Sequence, residues 1–130
     1  MTENELSAII VDAALKVHQK LGPGLLECVY EAALALELRK RGLIVEVQKE
    51  ILAFYDGIEL GIGFRADLIV NGLVLIELKS VEALKDVFKK TTLTYLKLTG
   101  LRLGLLMNFN VPLLKQGTQR VVRPDLLIRT

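Results

Sequence analysis

The sequence predicts an α/β sandwich with a mixed central sheet flanked by helices, and three observations carry that prediction. Two helical segments of apolar periodicity fill the first third of the chain. A run of short aliphatic segments follows, punctuated by Asp56-Gly57 and Asn71-Gly72, both strong hairpin signals. The stretch from Leu73 through a third helix to Leu103 then reads as a strand–helix–strand unit, whose crossover sets the two strands parallel.

The elements follow in order. Thr2 and Glu5 form a capping box, and Leu6, Ile9, Ile10, Ala13, Ala14, Val17 and Leu21 recur at helical spacing behind it. Gly22-Pro23-Gly24 stops that helix. A second helix is expected from about Leu25 to Arg41, with Gly42 as its C-terminal cap. Strands are expected over Leu43–Val47, Ile51–Tyr55, Ile58–Ile62, Phe64–Val70 and Leu73–Lys79. The third helix is expected from Val81 to Thr99, closed by Gly100, with Leu103–Asn108 as a buried strand and Val121-Val122 as a short last one.

Composition narrows the function classes. At 130 residues the length suits one domain, 1–130. Hydrophobic residues make up 52% with only 5% aromatics, so the apolar weight is aliphatic, enough for a helix-covered sheet and an apolar face for a second subunit. No stretch approaches the roughly 18–20 uncharged apolar residues of a membrane span, and the acidic start Met1-Thr2-Glu3-Asn4-Glu5 is unlike a signal peptide. Cys28 is the only cysteine, which excludes an internal disulfide framework and gives the expectation of a reduced, cytoplasmic setting. Net charge is only +2, yet residues 1–31 sum to −3, residues 79–102 to +4 and residues 115–130 to +3, the last count including Arg123, Asp125 and Arg129. A basic second half suits a phosphate backbone. Solvated helix faces account for the same charges equally well.

The sharpest chemical signal lies in Leu73-Val74-Leu75-Ile76-Glu77-Leu78-Lys79. Residues i and i+2 of a strand share a face, so Glu77 and Lys79 project together from an apolar run. Buried charges are costly unless they are paired or bind a metal. With Asp67 ten residues earlier, two carboxylates and an ammonium would suit a divalent cation beside a phosphate. That requires a particular hairpin. A two-residue turn at Asn71-Gly72 pairs Asp67 with Ile76 and turns it away from Glu77. A three-residue loop Val70-Asn71-Gly72 pairs Asp67 with Leu75 and sets it diagonal to Glu77 on one face. Arg65 shares the Asp67 face and is a candidate phosphate or carboxylate partner. The alternative is that Asp67 merely ends a strand, with Glu77 and Lys79 an exposed edge pair and Arg65 on the surface.

Several segments together resemble one family. Gly24-Leu25-Leu26-Glu27-Cys28-Val29-Tyr30, the preceding Val17-His18-Gln19-Lys20-Leu21-Gly22-Pro23, Gly63-Phe64-Arg65-Ala66-Asp67-Leu68, Ile76-Glu77-Leu78-Lys79 and Leu103-Gly104-Leu105-Leu106-Met107-Asn108-Phe109 are similar to the GxxExxY family. That family is grouped with the PD-(D/E)xK nuclease-like superfamily and its restriction-endonuclease-like core. The resemblance implies a nuclease-type phosphodiesterase acting on DNA or RNA with Mg2+. Asp67 and Glu77 would hold the metal, the Leu78 carbonyl would add a ligand, and Glu27 would complete the shell directly or through water. Lys79 would orient the attacking water or steady the phosphorane-like charge.

Relatives of this kind commonly carry Gln-x-x-x-Tyr on the helix after the Glu-x-Lys strand. Here Tyr95 is present, but Thr91 stands four residues before it, between Lys90 and Thr92. Helical spacing keeps Thr91 and Tyr95 on one face, and with Lys89 and Lys90 they are the candidate substrate contacts. Other readings stay open: a nuclease-like module that binds nucleic acid or protein without cutting, or a structural homo-oligomer, with a homodimer the expected assembly.

The remaining residues carry weaker signals. His18, the sole histidine, is either near the site or a helix-end histidine bonded to backbone, and Glu27 at a helix start serves the helix dipole in any case. Tyr30 either bonds Glu27 or packs. One Cys and one His do not make a zinc site, Gly22-Pro23-Gly24 lacks the Lys-Ser/Thr ending of a phosphate loop, and neither Ser7 nor Ser80 has the context of a serine hydrolase nucleophile.

Overall fold

The computed structural model describes residues 1–124. Asp125 and Arg129, counted in the basic tail, lie outside them. The chain runs α1 (Glu3–Leu21), α2 (Glu27–Lys40), β1 (Val45–Tyr55), β2 (Ile58–Val70), β3 (Val74–Lys79), α3 (Asp86–Thr99), β4 (Leu103–Asn108), α4 (Leu114–Gly117) and β5 (Thr118–Val122). The strands form one mixed sheet in the order β1-β2-β3-β4-β5. Only β3 and β4 are parallel, as the strand–helix–strand unit requires.

Helices cover both faces of the sheet, the three-layer arrangement of α/β proteins. Leu6, Ile10 and Ala13 of α1, with Tyr30, Leu34 and Leu38 of α2, bury against Val74, Ile76 and Leu78 of β3 and Leu103, Leu105 and Met107 of β4. On the opposite face Leu96 of α3 buries against Leu75, Leu106 and Val121. β3 is therefore covered on both sides, the reason its sequence is an almost unbroken apolar run.

The two helical ends behave differently. Thr2 and Glu5 make both halves of the capping box at 3.1 Å. The third helix, expected from Val81, starts only at Asp86. Asn108 at the end of β4 accounts for the difference: its Oδ1 accepts the Val81 amide at 3.1 Å and its Nδ2 donates to the Val81 carbonyl at 3.0 Å. With its peptide groups engaged by another strand, Val81 is not available to a first helical turn.

The first two strands are longer than the sequence suggests. The expected segment 43–47 starts only at Val45 and fuses with 51–55 into β1, and 58–62 fuses with 64–70 into β2. Gln48 crosses the first junction at a φ of 51°, in the left-handed region that side-chain-bearing residues rarely enter, and Gly61 eases an irregularity near the second at a φ of 100°. The Asp56-Gly57 turn has the expected two residues, with positive φ at both and Tyr55 opposite Ile58.

Asn71-Gly72 also turns as expected, at φ 52° and 63°. Leu73 then donates its amide to the Val70 carbonyl at 3.0 Å and joins the loop. The loop is thus Asn71-Gly72-Leu73 rather than Val70-Asn71-Gly72, and Val70 pairs with Val74, Ile69 with Leu75 and Leu68 with Ile76. Odd length holds, but the register differs by two from the expected pairing. Carried one step on, it sets Asp67 opposite Glu77 instead of Leu75.

Candidate active site at the fork of the sheet

The hydrogen-bonded ladder between β2 and β3 stops at Leu68 and Ile76. Beyond that point β3 continues against β4 as far as Lys79 and Asn108, while β2 continues against β1. The sheet forks there, and side chains close the fork. Asp67 Oδ2 accepts the Leu78 amide at 2.8 Å, standing in for a backbone carbonyl. The Asp67 amide points at Glu77 Oε1, 3.4 Å away.

The alternation of β2 breaks at the same place. Phe64 and Ala66 belong to the core under α3, whereas Leu68 and Val70 belong to the core under α1 and α2. Strict alternation would keep all four on one side. Asp67 stands at the switch, where its charge acts on both Glu31 of α2 and Tyr95 of α3.

Glu77 is 6% exposed and lies against another acid. Burial, then the negative charge of Asp67, pushes its carboxyl up to about 9, and the Lys79 ammonium opposes this only weakly. Lys79 shares the Glu77 face as expected, with its Nζ 4.7 Å above the Phe88 ring, a cation–π contact that holds the ammonium over the cleft. Phe88, Thr91, Thr92 and Tyr95 line the same cleft with Glu77 and Lys79. Tyr95 stacks on Phe64 with ring centroids 3.7 Å apart, and burial followed by the charges of Glu77 and Asp67 raises its hydroxyl above the usual range.

The other expected participants stand further out. Arg65 turns to Glu50 at 3.8 Å on the neighbouring strand and is exposed. Lys89 and Lys90 are exposed on α3. Glu27 is exposed in the first turn of α2. Closer to the carboxylate pair on the α2 side is Glu31, which the sequence reading did not single out. Gln48 Nε2 donates to Glu31 Oε2 at 2.7 Å and to Asp67 Oδ1 at 3.0 Å, so a single amide bridges the two acids. Burial, then repulsion from Asp67 and Glu27, raises the Glu31 carboxyl against the opposing effect of the Gln48 bond. A signal was present: Glu31 follows Glu27 by one helical turn, placing both on one side of α2.

The tyrosine of the Gly24-to-Tyr30 motif has a structural task. Tyr30 is fully buried, stacks on Phe109 at 4.6 Å, donates its hydroxyl to the Gly22 carbonyl at 2.5 Å and accepts the Leu25 amide at 3.1 Å. It thereby pins the Gly22-Pro23-Gly24 turn ahead of Glu27. Ser80 Oγ donates to the Leu25 carbonyl at 2.6 Å and ties that turn to the end of β3. His18 is buried at the end of α1, its Nε2 within 2.9 Å of the Val111 carbonyl and 3.2 Å of that of Phe109.

The donor set fits a hard divalent ion. Asp67 and Glu77 offer only oxygen, and the buried Glu77 carboxyl faces a like charge that a cation would offset. The sole histidine is bonded to backbone and Cys28 is exposed on α2, so softer ligands are not at hand. Among the described residues no three His, Cys, Asp or Glu side chains are gathered closely enough to enclose a metal, so water and substrate oxygens would supply the rest of such a shell. No helix among them is long and apolar enough to cross a membrane.

No curated protein and no solved structure matches this chain. The five-stranded mixed sheet flanked by helices, with Asp67, Glu77 and Lys79 at its fork, is consistent with a restriction-endonuclease-like fold. The model of the PD-(D/E)XK nuclease superfamily matches residues 4–121, nearly the full length, and the chain belongs to that superfamily.

Proposed function

We propose that the chain is a metal-dependent phosphodiesterase of nuclease type that cuts DNA or RNA, acting as a cytoplasmic, single-domain member of the GxxExxY branch. The observation that carries this reading is the closure of the sheet fork by Asp67, which sets it beside Glu77 with Lys79 two residues on. Gly24, Glu27 and Tyr30 support the branch, and the lone cysteine supports the compartment. Asp67 and Glu77 are the proposed holders of Mg2+ or Mn2+, with the Leu78 carbonyl and Glu27 as further donors. Such an ion, when bound, acidifies a water and offsets charge gathering on a phosphate.

The chain's own groups do the rest. Lys79, held over Phe88, orients the attacking water and offsets negative charge on the phosphate as it turns pentacoordinate. Thr91 and Tyr95 contact the substrate from the wall of the cleft, and Lys89, Lys90 and Arg65 attract its backbone. The proposal includes a second copy of the chain as partner.

The test is cleavage of single- and double-stranded DNA and RNA with Mg2+ or Mn2+, compared among wild type, Glu77→Ala and Lys79→Ala. Loss of cleavage in both variants is the expected result. Cleavage that persists unchanged in both belongs to another site or a contaminant. A non-cutting, nucleic-acid-binding module is favoured by the Thr91 hydroxyl where a glutamine amide is common in relatives. Binding without cleavage under every metal condition would select that reading.

A further inference from the structure

The cleft that holds Glu77 and Lys79 encloses about 30 Å³, room for roughly one water or ion. A nucleotide does not fit there. A second cavity, of about 390 Å³, adjoins it and is lined by Val81, Glu82, Ala83, Lys85 and Phe88. That volume falls in the ~300–1,000 Å³ range of small-molecule pockets. Phe88 is the one residue that lines both spaces. Lys79 sits over its ring from the cleft and does not line the second cavity, so the ring offers that cavity a surface the ammonium leaves uncovered.

We propose that the second cavity receives an unpaired nucleobase of the substrate, stacked on Phe88, with the adjoining phosphate in the cleft at Lys79. The inference rests on the nuclease reading above and narrows its substrate to a strand whose base is unpaired at the cut. Three observations commit the cavity to a base.

The walls are the first. Val81, Ala83 and Phe88 are apolar and give a phosphate nothing to bond. A base has two apolar faces, and stacking one on an aromatic side chain contributes about 1–3 kcal/mol. Within a duplex both faces are already stacked and the edge is paired, so only an unpaired or extruded base can enter.

Charge is the second. Residues 79–90 carry Lys79, Lys85, Lys89 and Lys90 against Glu82 and Asp86, a positive segment that suits a nucleic-acid backbone. Glu82 lines the cavity itself, where it repels a phosphate but accepts a hydrogen bond from the N–H groups of a base edge.

The third is that the wall is held in place. Besides the two bonds from Asn108, the Val81 carbonyl accepts Asn110 Nδ2 at 3.3 Å. Both asparagines follow from the end of β4, so the loop before α3 is fixed from the sheet. A pocket formed in advance costs a ligand less ordering on entry.

Methyl resonances of Val81 and Ala83 test the subsite without any need for cleavage. Protein in chelator is titrated with a short single-stranded DNA, with the same sequence as a duplex, and with the same strand made abasic. Both methyls should shift upfield with the single strand and stay in place with the abasic strand, and the duplex should bind at least tenfold more weakly. Ala83→Ile, which fills the cavity from an exposed position, should weaken single-strand binding at least tenfold. Equal shifts from the abasic strand, or equal binding of the duplex, overturn the proposal. Absent shifts together with Mg2+- or Mn2+-dependent cleavage overturn the subsite and leave the nuclease reading standing. Shifts without cleavage uphold the subsite and overturn the nuclease reading in favour of the non-cutting module.

Discussion

Asp67 accepts the Leu78 amide proton at 2.8 Å, a side chain completing a ladder that the backbone leaves open. The same carboxylate faces Glu77, so folding and the proposed chemistry act through one group. The two roles separate on substitution. Asp67→Asn retains an oxygen acceptor for Leu78 and should keep the fold, while its affinity for Mg2+ or Mn2+ falls at least tenfold. Asp67→Ala should lose metal binding and also lower stability by about 1–3 kcal/mol, as a charged hydrogen bond is removed. Calorimetric titration with denaturant melts distinguishes them, and equal stability of the two variants would contradict the ladder role.

Lys79 is predicted to act without holding metal. Lys79→Ala should reduce turnover by about 10³-fold while metal affinity stays within a few-fold of wild type, because its proposed partner is the reacting phosphate and its water. Single-turnover cleavage combined with metal titration checks the split. Parallel loss of metal affinity would place Lys79 in the wrong role.

Glu77 makes stability depend on pH in a defined direction. Its folded pKa, about 9, lies above the ordinary carboxyl value, so the folded state holds this proton more tightly than the unfolded state. The associated stability is fully present below the unfolded value and is lost as pH rises through the window between roughly 4.5 and 9. In metal-free protein the loss from this group approaches 1.4 kcal/mol per pH unit. Glu77→Gln should flatten the dependence and be more stable than wild type at pH 8. Denaturant midpoints at pH 6 and pH 8, in chelator, provide the measurement.

Gln48 joins Glu31 to Asp67 with both amide protons from a backbone at φ 51°. Asparagine tolerates that conformation better than most residues, yet its shorter side chain does not span the two acids. Gln48→Asn should therefore melt within a few degrees of wild type while metal affinity drops about tenfold, the usual consequence of removing a group that orients a ligand. Unchanged affinity would make the bridge irrelevant to the site.

Gly117 packs against the end of β4, whose Asn108 pairs with Lys79. A Cβ there would overlap the Asn108 carbonyl oxygen, so Gly117→Ala must displace the end of β4. About 1–3 kcal/mol of stability should be lost, in the range for forced overpacking. Because Asn108 also holds Val81, hydrogen exchange at the Val81 amide should quicken in the same variant.

Periodicity made the layers legible in the sequence. The apolar run of β3 announced a buried strand, and the i, i+2 spacing placed Glu77 and Lys79 on one side. The Asp56-Gly57 turn was legible for the same local reason. What was not legible depends on loop length or on partners distant in sequence. Leu73 joins the loop after Asn71-Gly72 and thereby decides what faces Asp67. Val81 leaves the third helix because Asn108, 27 residues away, takes its peptide groups. Glu31 enters the neighbourhood of Asp67 only through Gln48, whose backbone turns where a strand pattern predicts a break. Charge position within a segment was readable; which charges meet across segments was settled by loop length and by backbone irregularity.

The stitch that Asp67 makes across the fork bears on whether the site is relic or working. A neutral amide at this position would secure the Leu78 amide equally well and relieve the repulsion that Glu77 suffers. A scaffold freed from chemistry therefore has a quieter alternative at hand, one atom different from the residue present. This chain instead keeps two acids pressed together beside a lysine. Tension of that kind in the resting protein is a reason to look for an ion that releases it.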